Sequence, residues 1–181
     1  RTLAALRGFY HQALRSRAAL LEHLGRPLEA LEPTEEELEL SLAELVIEDA
    51  APDQLWTVGE RLGKAAVTAH FAGSPEHAQR WLAAAEPIVQ RLEQLAPEEA
   101  RTRMARGGLA LPTALLAASR GDADEAWRAA KTFAERAGTL GDDTRALALQ
   151  LLLRTARIAS GKLREACLRT VAQWCRDELS R

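Results

Sequence analysis

The chain has 181 residues, a formal net charge of −2 and 47% hydrophobic residues. That hydrophobic share can bury a core and so excludes a disordered chain, while only 4% aromatic residues argue against an all-β fold. No window of about 18 residues is free of charge, which excludes a membrane-spanning helix. The composition therefore predicts an all-α, soluble, single domain rich in Ala and Leu.

Helix-forming stretches follow one another along the chain, separated by Gly, Pro and helix-capping residues. Thr34 and Glu37 form a capping-box pattern, which predicts that a helix begins at Thr34, after a short piece that ends at Pro33. The Gly107-Gly108 pair and Pro112 predict a break or a bend in a later helix. The expected helices cover residues 2–24, 34–49 and 52–72, and others begin at Pro75, Pro97, Asp122, Asp142 or Asp143, and Lys162.

Four turns between these helices share the pattern Gly-x-x-x-x-Ala and begin at Gly25, Gly73, Gly121 and Gly161. The Gly permits the left-handed backbone that ends a helix, and the Ala lets the next helix approach closely. Such a turn closes an antiparallel helical hairpin, so about eight helices in four hairpins are expected. The expected units of the single domain are residues 1–50, 51–96, 97–140 and 141–181.

The string from Gly121 to Ala126 resembles the central turn of a tetratricopeptide repeat, and residues 73–78 look like a looser version. Small residues also stand where that family places the small position of its first helix, at Ala18, Ala66 and Ala114. The match covers the four turns, as in degenerate repeats. The resemblance implies a tetratricopeptide-like α-solenoid or compact helical array that binds a peptide or a protein surface, with no catalytic residues.

The residues that most often carry chemistry form no recognisable active site or metal site. His70 and His77 flank one turn, but zinc needs further closely spaced ligands, so no metal or other cofactor is expected. Cys167 and Cys175 lie about 12 Å apart along one helix, too far for a disulfide, and this favours free thiols in the cytoplasm. The glycines of residues 59–64 are too close together for a phosphate loop. The chain is therefore not expected to be an enzyme.

The acidic residues are unevenly distributed. Between Leu28 and Glu60 the sequence holds 11 acidic residues and no basic one. This pattern disfavours nucleic acid, which needs a basic stripe, and a membrane partner is not expected either. It is typical of a solvated helix face or of a negative platform that speeds binding of a basic protein. The candidate partner-binding residues are Glu35, Glu36, Glu37, Glu39, Glu44, Glu48 and Asp49.

The leading interpretation is a non-enzymatic module that binds a protein or peptide partner. One alternative is a bacterial immunity protein that neutralises a basic toxin through residues 29–60. Another is a regulatory or ligand-sensing helical domain of a longer chain. If the platform exists, changing Glu35, Glu36, Glu37 and Glu39 to Gln should leave the fold intact and slow association with the partner.

Overall fold

The computed structural model describes residues 2–137 and 142–179. These residues form eight α-helices and no strand, which confirms the prediction of an all-α fold. The helices are α1 (Thr2–His23), α2 (Pro27–Ala43), α3 (Pro52–Phe71), α4 (Pro75–Leu95), α5 (Ala100–Arg120), α6 (Ala123–Ala137), α7 (Asp142–Ile158) and α8 (Gly161–Leu179). Among the described residues, none of these helices combines the length and apolar character needed to cross a membrane.

The glycine turns are as the sequence predicts. Gly25, Gly73 and Gly121 have φ angles of 72, 79 and 76°, in the left-handed region where a Cβ atom is unfavourable. At each of these turns, the next residue donates its N–H to a carbonyl five residues back, which is the Schellman pattern. Gly161 also has a positive φ, of 51°, but it is the first residue of α8. The alanines that follow the first three turns, Ala30, Ala78 and Ala126, are completely buried.

Both predicted ends of the helix expected at residues 34–49 are wrong, because α2 runs from Pro27 to Ala43. α2 begins at Pro27 and continues through Pro33, and Thr34 donates its hydroxyl to the Ala30 carbonyl at 2.7 Å instead of capping a new helix. The break expected in α5 is absent, since this helix continues through Gly107, Gly108 and Pro112. Pro33 and Pro112 are fully buried, so the packing around them outweighs a helix cost of about 3 kcal/mol, whereas Pro87, the internal proline of α4, is exposed.

The described residues form two compact units, with the division after Ala105, inside α5. In the first unit, α1 packs against α2, α2 against α3, and α3 against α4. α3 and α4 are tightly packed at Gly59, where an added Cβ atom would lie 3.2 Å from Val89 Cγ2. The large side chains of this core that are no more than 3% exposed include Leu38, Leu55, Leu62, Trp81, Ile88 and Leu92.

The second unit has a core of its own, to which α5, α6, α7 and α8 all contribute. Leu152 on α7 is completely buried, as the apolar character of that helix suggests. Phe133 packs into the same cluster, and Trp127 and Trp174 cover its edges. The division of a single domain into four repeat units stays a prediction.

Candidate functional site

The acidic segment of the sequence lies mainly on α2, and the fold pairs many of its carboxylates with basic or hydroxyl groups of other residues. Three of these partners, Arg7, Tyr10 and Arg17, come from α1. The pairs are Glu29 with Arg26, Glu32 with Arg17, Glu35 with Arg80 and His77, Glu36 with Tyr10, Glu44 with Arg7, Asp53 with Arg101, and Glu60 with Lys64. Much of the negative charge in this segment is therefore balanced locally.

Glu37 differs from the other acidic residues, because it is only 4% exposed and lies where α1, α2 and α3 meet. Its Oε1 atom accepts hydrogen bonds from Arg15 Nε at 3.0 Å and from the Ser41 hydroxyl at 3.3 Å. The Arg61 guanidinium forms an ion pair with the same oxygen, and His11 Nδ1 lies 3.1 Å from it. These contacts allow a carboxylate to be buried that would otherwise destabilise the fold by several kcal/mol.

Helical spacing brings these side chains to one point. His11 and Arg15 are one turn apart on α1, as are Glu37 and Ser41 on α2, so each pair projects from one face of its helix. Arg61 reaches the same point from α3. The sequence did not reveal this cluster, since Glu37 matched the third position of a capping box. The signal that could have indicated it was Arg61, which directly follows residues 28–60, a stretch without any basic residue.

Above this cluster lies an open cleft of about 510 Å³. Arg15 and Arg61, the two lining arginines that contact Glu37, are called its floor here, and three other lining residues, Glu44, Asp53 and Gln54, are called its rim. Two guanidinium groups share one buried carboxylate, so the floor carries an excess of positive charge. Burial, together with the nearby charge of Arg15, lowers the pKa of Arg61 to about 10. At neutral pH Arg61 is still charged, and its incomplete hydration favours a ligand that can accept hydrogen bonds.

Asp53 at the rim has a basic neighbour. Arg101 pairs with the Asp53 carboxylate and stacks over the Trp56 ring, with the guanidinium carbon 5.2 Å from the ring centroid. Elsewhere in the lining, His11 Nε2 lies 3.6 Å from Glu44 Oε2. Asp53 and Glu44 are themselves exposed, so these pairs orient the two carboxylates only weakly.

The seven predicted partner-binding residues fall into two groups. Glu35 and Glu36 are half-buried and paired, and Glu37 is buried in the cleft floor. The exposed members are Glu39, Glu44, Glu48 and Asp49. Within the described part of the chain, the carboxylates of Glu39, Glu48 and Asp49 take part in no ion pair. A change of Glu37 to Gln would therefore disturb the fold, and only the exposed residues can test a surface platform.

The other candidate residues, His70, His77 and Cys167, lie in surroundings that indicate a structural role. His77 contacts Ser74 Oγ at 2.6 Å and the edge of Trp81, and His70 packs its ring against Phe71. In the described ranges, no three His, Cys, Asp or Glu residues come together as a metal site would require. Cys167 is completely buried, and burial raises the pKa of its thiol, which makes it a poor nucleophile.

Comparison with known proteins adds no relative. No family model matches the chain, and no curated protein shows significant similarity to it. The tetratricopeptide resemblance therefore stays a prediction based on the four glycine turns. The geometry of the cleft and of the charged surfaces is the remaining basis for assigning a function.

Proposed function

We propose that this protein is a non-enzymatic interaction module that holds a peptide segment of a partner protein in the cleft between α1, α2 and α3. The observation that carries this proposal is the cleft floor, where Arg15 and Arg61 are fixed around the buried Glu37. An extended peptide presents a row of carbonyl oxygens, which need hydrogen-bond donors. The two guanidinium groups supply such donors in a rigid arrangement.

The rim of the cleft supports the same proposal. The side-chain oxygen of Gln54 accepts a hydrogen bond from the Ala51 N–H at 3.1 Å, which leaves the amide NH₂ group as a further donor. Leu45 and Val58 add apolar surface beside these polar groups. A volume of about 510 Å³ lies within the usual range of ligand sites, and an open cleft allows a chain to enter and leave at its ends.

Glu37 and the two guanidinium groups of the cleft suit a binding role better than a catalytic one. A general base must reach the proton that it removes, and Glu37 lies below the surface with four partners at one oxygen. The guanidinium groups remain protonated near neutral pH and cannot serve as bases. These groups are suited to positioning a ligand.

The test uses a pair of glycine substitutions. Gly8 lines the cleft and Gly108 does not, yet an added Cβ meets no atom within 4 Å at either position. Gly8→Trp should fill the cleft without disturbing the core, and Gly108→Trp is the matched control. Peptides are selected from a random phage library on the wild-type protein, and their affinities are measured by fluorescence anisotropy. We expect Gly8→Trp to weaken binding at least tenfold and Gly108→Trp to leave it unchanged.

Two outcomes of this experiment would contradict the peptide-binding proposal, and a separate assay with small molecules tests the ligand-sensing alternative. Equal binding to wild type and Gly8→Trp, with both proteins folded by circular dichroism, would place the peptides outside the cleft and contradict the proposal. A selection that enriches no peptide would also contradict it. A small molecule that raises the melting temperature of wild type but not of Gly8→Trp would support the ligand-sensing alternative instead.

A second candidate is the binding of a basic partner, as in toxin neutralisation, and the exposed carboxylates of Glu39, Glu48 and Asp49 favour it. The variant Glu39→Gln/Glu48→Gln/Asp49→Asn should slow association with a selected basic peptide and reduce its salt dependence. The matched control changes three exposed acids elsewhere in the same unit, as Glu76→Gln/Glu98→Gln/Glu99→Gln. Equal association rates for the two variants would contradict an acidic platform.

A further inference from the structure

The second unit carries a concentration of positive charge that the small net charge of the whole chain does not reveal. Between Thr144 and Arg176 the sequence holds seven basic residues and one acidic residue, Glu165. Five of the basic residues lie on the last turns of α7 and the first half of α8, and all five are exposed. They are Arg154, Arg157, Lys162, Arg164 and Arg169, called here the α7–α8 basic surface.

These five cations do not stabilise the hairpin that carries them. None forms an ion pair with a carboxylate in the described ranges, whereas many carboxylates on α2 have such partners. Lys162 and Arg164 lie in the first turn of α8, which contains no acidic residue. The positive end of the helix dipole disfavours cations there. Their mutual repulsion adds to this cost, so an external anionic partner gives the charges a role that the fold does not.

Apolar side chains are exposed within the same stretch. Leu153, Ile158 and Leu168 are 39%, 36% and 46% exposed. Beneath them, Ala156, Ala159 and Cys167 pack together and hold the end of α7 against the start of α8. Apolar and basic side chains are therefore exposed in the same stretch of α7 and α8. From Lys162 to Arg169 the surface extends about 10 Å along α8, or two helical turns.

From this combination we propose that the α7–α8 basic surface binds an acidic amphipathic helix of a partner protein. The carboxylates of such a helix would pair with the guanidinium groups, and its apolar side chains would cover Leu153, Ile158 and Leu168. A nucleic acid would use the cations and leave the apolar side chains exposed to water. The proposal concerns the second unit and does not depend on the cleft in the first.

The test uses a fluorescein-labelled helical peptide made of Leu and Glu at amphipathic spacing. The comparison peptide has the same number of Glu residues, with every Leu replaced by Gln. We expect the Leu/Glu peptide to bind more tightly, and Arg157→Gln/Arg164→Gln to weaken its binding by about five- to tenfold. Leu168→Ala should also weaken it. The matched control, Arg128→Gln/Lys131→Gln, removes two exposed charges from α6 and should have no effect.

Several outcomes would overturn the proposal. One is equal affinity for the two peptides, because apolar contacts would then contribute nothing. Another is tighter binding of single-stranded RNA or of phosphatidylserine vesicles, lost in Arg157→Gln/Arg164→Gln, which would assign the surface to a polyanion. Failure of both peptides to bind would also overturn it. Gly8→Trp should bind the Leu/Glu peptide normally, which separates this result from the test of the cleft.

Discussion

Glu37 is the residue at which the first three helices are joined electrostatically. Arg15 from α1 and Arg61 from α3 meet at one oxygen of a carboxylate from α2. Leaving the two guanidinium groups without that carboxylate would place like charges close together in a partly buried site. Breaking a buried pair by removing one partner is usually strongly destabilising, because the remaining charge is uncompensated.

We therefore predict that Glu37→Gln lowers the free energy of unfolding by about 3 kcal/mol, because Arg15 and Arg61 lose their counter-charge. The measurement is the urea midpoint followed by circular dichroism. Glu39→Gln is the matched control, since Glu39 is exposed on the same helix, and it should change stability by less than about 0.5 kcal/mol. Similar midpoints for the two variants would show that the cluster does not stabilise the fold.

The sequence indicated the carboxylates of this site but not how they are arranged in space. An excess of carboxylates over residues 28–60 was visible, but helical spacing alone did not show that α1 would place Arg7, Arg15 and Arg17 opposite them. Charge pairing between helices depends on which faces meet, and this is decided by tertiary packing. The cluster at Glu37 could not be distinguished from a capping box for the same reason.

At the scale of helices, local signals succeeded where the backbone itself imposes a requirement. A left-handed residue at the end of a helix requires Gly, so the turns at Gly25, Gly73 and Gly121 were correctly placed. Local signals failed at Pro33 and Pro112, where the expected interruption is overridden by burial. The cost of an internal proline is fixed and modest, whereas the gain from burying neighbouring turns depends on the whole core.

Two glycines test whether the backbone conformation at a position decides if Gly is required there. Gly73→Ala should destabilise the protein by about 1–2 kcal/mol, because an L-residue is strained at a φ of 79°. Gly108→Ala should stabilise it by about 0.5–1 kcal/mol, because Gly108 lies within α5 and its new Cβ would meet no atom within 4 Å. Thermal unfolding followed by circular dichroism measures both. Changes of the same sign would contradict the backbone argument.

On the scale of the whole molecule, the small net charge of the chain is the sum of two opposite net charges, one for each unit. Residues 1–105 contain 11 basic and 17 acidic side chains, a net charge of −6, and residues 106–181 contain 13 basic and 9 acidic ones, a net charge of +4. The first unit keeps much of its excess in internal pairs, and the second leaves five cations exposed on α7 and α8. The two surfaces suit partners of different charge.

Salt should therefore affect the protein's ion pairs unequally. The Arg17–Glu32 pair is exposed, at 2.9 Å, and contributes at most about 1 kcal/mol at low salt. We predict that the cost of Arg17→Gln disappears near 1 M NaCl, where screening acts over about 3 Å. The cost of Glu37→Gln should largely persist, because its pairs are shielded from ions. Urea unfolding at low and high salt measures both, and equal losses would contradict the burial argument.

The guanidinium groups of Arg15 and Arg61 have two tasks at once, since they hold α1 to α3 and also face the open cleft. Any occupant that contacts them strengthens the same junction that keeps the three helices together. Heat resistance then becomes a readout of occupancy, because a compound that binds only the folded form raises the melting temperature by mass action. A library of unlabelled peptides can therefore be ranked by melting temperature alone, before any partner is known.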